Sequence, residues 1–399
     1  MATTMLDQSL GSDRLSQEIF SILESKFLFG APPDLAHFSS SSPGRVRVLS
    51  IDGGADGGAL AAAALVRLER RLQELSGDPD LRVADFFDLA AGSGAGGFLA
   101  AALFARRMPA AAARDVVAKH RKLLSGRGGG GAGGLFGRRR NEAAAFRKVL
   151  GDLTVRDAAK PLLIPCYDMA TAAPFVFSRA DAVEADAFDF PLWQVCAAAC
   201  GVGPAEVASL DGRTRLRAGA GGAAAAVANP TAVAVTHVLH NKREFPFAAG
   251  AADLVVLSLG GSAAASPPRR SSSTLLRIAG ACQADMVDQA VSMAFGESRA
   301  SNYIRIQGNG IAPGGSDTAE AALTERGVES VMFRGKKLMP QTNGERLDGV
   351  AEQLLREHHR RLESKTPVVL VKPSATPRTS SSSASTLITV STNSSDDSP

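Results

Sequence analysis

The chain has 399 residues, of which 45% are hydrophobic and 21% charged, so it is long enough to bury one large core or two smaller ones. Its net charge of +4 comes from Lys and Arg residues dispersed along the chain, which does not indicate nucleic-acid binding but is compatible with an anionic membrane surface. Neither a membrane-spanning helix nor a disulfide framework is expected, because the chain has no run of about 18 apolar residues and only four cysteines.

Residues 1–43 are predicted to form a helical extension and linker in front of the main globule. Apolar side chains recur at roughly helical spacing over residues 9–29, and a Pro- and Ser-rich stretch follows at 31–44. The first thirty residues have no basic segment followed by an apolar one, and they include acidic residues. We therefore expect a cytoplasmic protein, with peripheral membrane association as the further option.

Two strand, glycine turn and helix units follow in succession. The first is the β-branched strand and turn RVRVLSIDGGADGG at 45–58 with an amphipathic helix at 59–77, and the second is VADFFDLAAGSGAGGFLAAALFA at 83–105. Two such units predict an α/β fold with a parallel sheet and helices packed on it.

The rest of the chain supplies further strands and helices, for a sheet of about six strands or more. The predicted elements are a Gly-rich surface insertion at 125–142, two strands within 160–178, a hairpin with its turn at Asp211 and Gly212, a strand at 252–261, a helix at 282–295, a strand at 301–307, a charged helix at 343–364, and a disordered Ser-rich tail at 374–399.

The glycine turn at 92–97 permits two functional interpretations. Gly92, Gly94 and Gly97 have the spacing of a dinucleotide fingerprint, which normally also needs an acidic residue about 20 positions further on, at the end of a second strand. Asp115 instead lies in a helical stretch, so we expect no bound cofactor. Residues 92–96 also have the frame G-x-?-x-G of a nucleophile elbow, in which Gly94 stands where a serine would be.

The earlier glycine turn completes the requirements of acyl transfer. Gly53, Gly54 and Ala55 lie between a strand and a helix start, where backbone N–H groups are free to stabilise an oxyanion.

With both turns in place, the sequence resembles plant patatin-like phospholipases from about Arg45 to the strand NYIRIQGNG. The segments IPCYDMATAAPFVFSRADAV and NPTAVAVTHVLHNKREFPF are similar to the type III subgroup of patatin-related phospholipase A, which has G-x-G-x-G in place of G-x-S-x-G. The resemblance implies a three-layer fold with a mostly parallel central sheet, a patatin-like domain at 46–245 and a C-terminal continuation of the same globule at 246–373.

Carried over residue by residue, the family motifs show losses. In the oxyanion motif D-G-G-G-x-R-G, Asp52, Gly53 and Gly54 match, whereas Ala55 replaces the third glycine and Gly57 replaces the arginine.

The catalytic dyad positions are also changed. The elbow glycines Gly92 and Gly96 remain, but Gly94 holds the nucleophile position and Ala220 holds the position of the acid in D-G-G. Ser93 is adjacent to the nucleophile position and is the one candidate substitute for the nucleophile, but one step along a sharp turn directs a side chain elsewhere, so we favour a structural hydroxyl. No catalytic dyad is therefore expected to be intact.

Other candidate groups have simpler interpretations. Asp211 is predicted to be a turn residue, and His237 and His240 packing or surface residues, since the family's dyad uses no histidine. Cys196 and Cys200 are one helical turn apart but have no nearby His or carboxylate partners in sequence, so no metal site is expected.

Three functions remain open. The leading hypothesis is a protein that binds membrane lipids, phospholipids or galactolipids, with weak or no hydrolysis. The first alternative is an active lipid acyl hydrolase that works by a non-canonical route. The second is a non-catalytic interaction protein that uses the Gly-rich insertion and the Ser-rich tail.

Overall fold

A computed structural model describes residues 44–54, 56–125, 137–202, 206–218, 227–261, 272–308, 316–331, 334–364 and 367–372. The predicted extension at 1–43, the predicted tail at 374–399 and most of the Gly-rich insertion lie outside the described residues, as do Ala55 and Ala220.

Ten strands and twelve α-helices are described. They are β1 Val46–Ile51, α1 Ala59–Ser76, α2 Val83–Phe86, β2 Leu89–Gly92, α3 Ala95–Phe104, α4 Ala110–Leu124, α5 Gly137–Leu150, β3 Leu162–Asp168, β4 Ala173–Ser178, α6 Arg179–Glu184, α7 Leu192–Ala199, β5 Glu206–Ala208, β6 Arg215–Arg217, α8 Thr231–His240, β7 Leu254–Leu259, α9 Ser272–Ala294, α10 Arg299–Asn302, β8 Tyr303–Ile306, α11 Ser316–Thr324, β9 Arg326–Val331, β10 Gly335–Thr342 and α12 Asn343–Glu363.

The central sheet has six strands in the order β4-β3-β2-β1-β7-β8. Strands β1, β2, β3, β7 and β8 run parallel, and β4 is antiparallel to β3 at one edge. The predicted mostly parallel sheet is therefore confirmed. It places β1 at its centre, next to β2 on one side and β7 on the other.

Helices cover both faces of the sheet, so the side chains of β1 are buried on both faces. Leu49 and Ile51 join a large core with α1, α3, α4, α7 and α12, whereas Val46 and Val48 join a second core with α8 and α9. Alternate side chains of a strand point to opposite faces, so this division makes three layers. Among the described helices, none combines the length and hydrophobicity needed to cross a bilayer.

The structure differs from the sequence interpretation in three places. Helix α5 begins at Gly137, inside the stretch predicted as a Gly-rich surface insertion at 125–142. The apolar run at 83–91 is not one strand: Val83–Phe86 is a short helix, where Glu69 accepts the Val83 N–H at 3.0 Å and Asp85 accepts the Arg82 N–H at 2.9 Å. The hairpin β9–β10 was not predicted, because β10 is largely exposed and shows no alternation of apolar and polar residues.

Candidate active site

The two glycine turns lie side by side where the central strands end. The Asp52 N–H donates to the Leu259 carbonyl at 2.9 Å, and the Ser93 N–H donates to the Ile51 carbonyl at 3.1 Å. These bonds join the ends of β1, β2 and β7, which are neighbours in the sheet. The carboxyl ends of parallel strands are where α/β folds place their ligands.

The turn after β2 has the backbone of a sharp strand-to-helix elbow. Gly94 has φ 51° and ψ −124°, a combination that side-chain-bearing residues adopt only under strain. The Gly96 N–H donates to the Ser93 carbonyl at 2.8 Å, and the Phe98 N–H donates to the Gly94 carbonyl at 3.2 Å as α3 begins. A catalytic serine in an elbow sits on a strained turn of this kind.

Close packing explains why the elbow is built from glycines. A β-carbon at Gly92 would lie 2.2 Å from the Gly96 carbonyl oxygen, and one at Gly96 would lie 2.2 Å from the Ile51 carbonyl oxygen. Both positions therefore exclude any side chain.

Position 94 is different. A β-carbon at Gly94 would first meet the Gly53 Cα atom at 3.3 Å and the Gly53 carbonyl oxygen at 3.5 Å. A side chain there would therefore project toward the Gly53–Gly54 turn, with only a small adjustment of its neighbours.

Ser93 is held inside the protein. Its side chain is 1% exposed, and its hydroxyl donates to the Ala228 carbonyl at 3.0 Å. The same carbonyl oxygen accepts the Gly53 N–H at 3.2 Å, so it binds both glycine turns. This arrangement supports a structural interpretation of Ser93.

The loop that carries Ala228 is fixed by a side chain of α9. Gln283 Oε1 accepts the N–H groups of Ala228 and Asn229 at 3.0 and 3.1 Å. Sequence reasoning missed Gln283, because a single glutamine in a helix gives no signal of its own.

A buried ion pair anchors the start of the Gly53–Gly54 turn. Asp52 accepts two hydrogen bonds from Arg305 of β8, at 2.6 and 3.3 Å, and Arg305 Nε lies 3.8 Å from Asp288 of α9. Burial by itself lowers the pKa of Arg305, but the Asp52 and Asp288 carboxylates raise it above its ordinary value. Arg305 therefore carries its charge inside the protein. An arginine within the apolar strand YIRI was the signal that sequence reasoning missed.

The remainder of the first turn leads into α1. Asp56 accepts the N–H groups of Gly58 and Leu60 at 3.1 Å each, which stabilises the start of the helix. No described residue accepts a hydrogen bond from the Gly54 N–H. The Gly53 N–H, also predicted as an oxyanion donor, is instead engaged by the Ala228 carbonyl at 3.2 Å, and Ala55 lies outside the described residues. The predicted oxyanion hole therefore stays a prediction.

The predicted acid position is also not described, since Ala220 falls in the gap between residues 218 and 227. Asp168, the last residue of β3, pairs with Ala218 at the edge of this gap. Its carboxylate accepts the N–H groups of Ala170 and Arg217 at 3.0 Å each and the Thr171 hydroxyl at 2.7 Å. Burial opposes ionisation of Asp168, but these bonds hold its pKa below the ordinary value. Asp168 thus serves to shape the loop.

Of the remaining candidates, Cys196 packs beside the elbow, where its thiol donates to the Gly97 carbonyl at 3.9 Å, and the others belong to other elements. Asp211 is on the turn of the β5–β6 hairpin, where it accepts the Ser209 hydroxyl at 2.7 Å. His237 lies on α8, with Nε2 3.7 Å from Glu244. Burial raises the pKa of the Cys196 thiol well above its ordinary value, which suits a packed side chain. Within the described ranges, no cluster of His, Cys, Asp and Glu has a metal-binding arrangement.

Comparison with known proteins identifies the family. Residues 49–235 match the family described as patatin-like phospholipase. The chain is 48% identical over 392 residues to patatin-like protein 3 of Oryza sativa subsp. japonica, covering 89% of this chain and 93% of the relative. It is 40% identical over 449 residues to patatin-like protein 6 of Arabidopsis thaliana, covering 94% and 90%.

A third relative carries a name that bears on activity. Probable inactive patatin-like protein 9 of Arabidopsis thaliana is 41% identical over 369 residues, covering 86% of this chain and 92% of the relative. The resemblance inferred from the two glycine turns is thus confirmed over nearly the whole chain, which belongs to the patatin-like family.

Proposed function

We propose that this protein binds membrane lipids through a patatin-like domain and hydrolyses them weakly or not at all. The observation that carries the proposal is the backbone of Gly94, which has the strained angles of an elbow but supplies no nucleophile. A serine at this position would face the Gly53–Gly54 turn, 3.3 Å from its backbone. The fold thus keeps the shape of an acyl-transfer site.

Ser93 is a poor replacement for the missing nucleophile. Its hydroxyl is buried and already donates to Ala228, so its attack on an ester would require the elbow to open. Without nucleophile and acid, only the contributions of binding and of the oxyanion hole remain to catalysis.

Flotation of the purified protein with lipid vesicles tests the binding part of the proposal. Vesicles of phosphatidylcholine with phosphatidylserine, and vesicles of galactolipid, are compared at low and high salt. We expect the protein to float with at least one vesicle type, because the chain has a net charge of +4 and belongs to a lipid-acting family. Absence from the floating fraction in every condition would contradict the proposal.

An active hydrolase is the alternative, and one observation favours it. The Gly54 N–H lies beside the elbow and donates to no acceptor among the described residues, which is the arrangement that stabilisation of an oxyanion during attack by water would need. Fatty-acid release that survives Ser93→Ala and exceeds the vesicle blank would support this route over the proposal.

A further inference from the structure

The most exposed residues of helix α9 between positions 278 and 294 are all apolar. Its exposed residues in this stretch are Ile278, Ala279, Ala281, Cys282, Met286, Ala290, Met293 and Ala294. Ile278, Met286 and Met293 are 56%, 51% and 64% exposed. Ile278, Cys282, Met286 and Met293 fall within an arc of about 80° at 3.6 residues per turn, and we name these four residues the α9 outer face.

Three polar side chains of the same helix are engaged by the rest of the protein, whereas Gln289 lies half-exposed among the residues of the α9 outer face. Asp288 is buried and accepts the Tyr303 hydroxyl at 2.6 Å, Asp285 accepts the Ser330 hydroxyl at 3.2 Å, and Gln283 holds the Ala228 loop. A surface helix ordinarily turns its polar side to water and its apolar side to the core. Here Val287 and Val291 pack toward the core together with the buried Asp288, and a second group of apolar residues faces outward.

Basic residues stand beside the α9 outer face. The turn of the β9–β10 hairpin lies against α9, where a shallow cavity of about 410 Å³ is lined by Gly335, by the apolar Ile278, Cys282 and Met286, and by the polar Asp285 and Gln289. Lys336 Nζ is 3.3 Å from Asp285. The exposed side chains of Arg334, Lys336 and Lys337 follow around this turn, and Leu338, which comes next, is 56% exposed.

We infer that the α9 outer face is the surface by which the protein docks on an anionic lipid bilayer. An apolar strip with basic residues at its edge suits the boundary between headgroups and acyl chains, where apolar side chains insert and cations contact anionic lipids. Of the two acidic residues, Asp288 is buried against Tyr303, whereas Asp285 lies half-exposed beside the α9 outer face, where its charge is paired with Lys336. The inference rests on the lipid binding proposed above and assigns it to one surface.

Docking on this face would place lipid close to the candidate site. Gln283 on the inner side of α9 holds the loop whose Ala228 carbonyl binds Ser93 and Gly53. Only the thickness of one helix, about 10 Å, separates the docked surface from that loop.

Cys282 allows the inference to be tested in the natural sequence. It is exposed, whereas Cys166, Cys196 and Cys200 are buried, so a maleimide carrying an environment-sensitive fluorophore should label Cys282 selectively. We expect the emission to shift to the blue and to increase when phosphatidylcholine vesicles containing phosphatidylserine are added. Pure phosphatidylcholine vesicles should produce a smaller change.

Other changes in emission would overturn the inference. A blue shift that grows with protein concentration in the absence of vesicles would make the α9 outer face an interface between two copies. If the label on the free monomer already has blue-shifted emission, and deletion of residues 1–43 removes that shift, this segment covers the α9 outer face. An unchanged emission from protein that floats with the vesicles would place the docking surface elsewhere.

Matched variants separate this inference from the proposed function. The triple variant Ile278→Gln, Met286→Gln, Met293→Gln is compared with a control triple at exposed positions on other elements, Leu210→Gln, Leu362→Gln, Leu370→Gln. We expect the first triple to lower the apparent affinity for anionic vesicles about tenfold or more and the control to change it little. Equal flotation of both triples would overturn the docking surface alone, whereas failure of the wild-type protein to float would overturn the lipid-binding function as well.

Discussion

The hydroxyl of Ser93 donates a hydrogen bond of 3.0 Å to the carbonyl oxygen of Ala228, across 135 residues of sequence. Because the same oxygen also accepts the Gly53 N–H, this contact ties the elbow to the Gly53–Gly54 turn. The serine next to the nucleophile position is thereby a structural link between the two halves of the candidate site.

Ser93→Ala should lower stability while leaving any ester hydrolysis almost unchanged. Loss of one buried hydrogen bond should cost about 1 to 2 kcal/mol in the free energy of unfolding. The rate should stay within about threefold of the wild type, under about 1 kcal/mol in activation free energy. Urea unfolding and fatty-acid release measure the two quantities. A fall of the rate to background in a folded variant would make Ser93 the nucleophile.

Serine substitutions at the three elbow glycines should differ sharply. Gly94→Ser should fold with a loss of about 1 to 3 kcal/mol, the cost of its strained backbone. Gly92→Ser and Gly96→Ser are the controls, and we expect neither to give a cooperative thermal transition, because their β-carbons would lie 2.2 Å from carbonyl oxygens. Equal stability of all three variants would show that the elbow is not packed as described.

Restoring both dyad positions extends this test to chemistry. Gly94→Ser combined with Ala220→Asp should hydrolyse a p-nitrophenyl ester faster than either single variant, if residue 220 reaches the new hydroxyl. A folded double variant that is no faster would show that Ala220 does not occupy the position of the acid.

Arg305→Met should cost about 3 to 5 kcal/mol in the free energy of unfolding, since it leaves the buried Asp52 carboxylate without its partner. The control is Arg67→Met, which breaks a half-exposed pair with Asp348 at 2.7 Å and should cost about 1 kcal/mol or less. The double variant Asp52→Asn, Arg305→Met should be less destabilised than the sum of the single changes. Additive losses in urea unfolding would mean that the two groups are not coupled.

Asp88 should make the stability depend on acid pH. Arg361 donates two hydrogen bonds of 2.7 Å to its carboxylate. Although burial alone would raise the pKa of Asp88, Arg47 and Arg361 lower it below the ordinary value. Since the folded-state pKa lies below the unfolded value of about 3.9, the carboxylate stabilises the fold above that pH, and this contribution is lost as the pH falls through the folded pKa.

Urea unfolding between pH 7 and pH 3 checks this dependence. Asp88→Asn should be destabilised by about 3 kcal/mol or more at pH 7, and its difference from the wild type should shrink toward pH 3. The exposed Asp152→Asn serves as the control and should behave like the wild type throughout. A difference for Asp88→Asn that is constant with pH would contradict the lowered pKa.

The sequence predicted the glycine turns and the parallel sheet because both follow from local patterns. Apolar runs that end in glycine mark strands and turns, and two such units in succession imply parallel neighbours. The contacts of Gln283 and Arg305 were not predictable, since each joins segments tens to hundreds of residues apart. The outward-facing apolar residues of α9 were also missed, because they have ordinary helical spacing and only the fold shows which side faces the core.

We expect the protein to bind lipid surfaces but to turn over little or no lipid. The most direct test measures fatty-acid release from phospholipid and galactolipid vesicles, normalised to the protein bound in the same flotation sample, with protein purified free of host lipases. We expect the wild-type protein to float with the vesicles and its fatty-acid release to stay within a few-fold of that from vesicles alone. The variant Gly94→Ser, Ala220→Asp should show a clear increase in fatty-acid release. The opposite result would be fatty-acid release by the wild-type protein that is proportional to bound protein and continues over many turnovers. If that release also exceeds the release by the double variant, the expectation of little or no turnover is wrong.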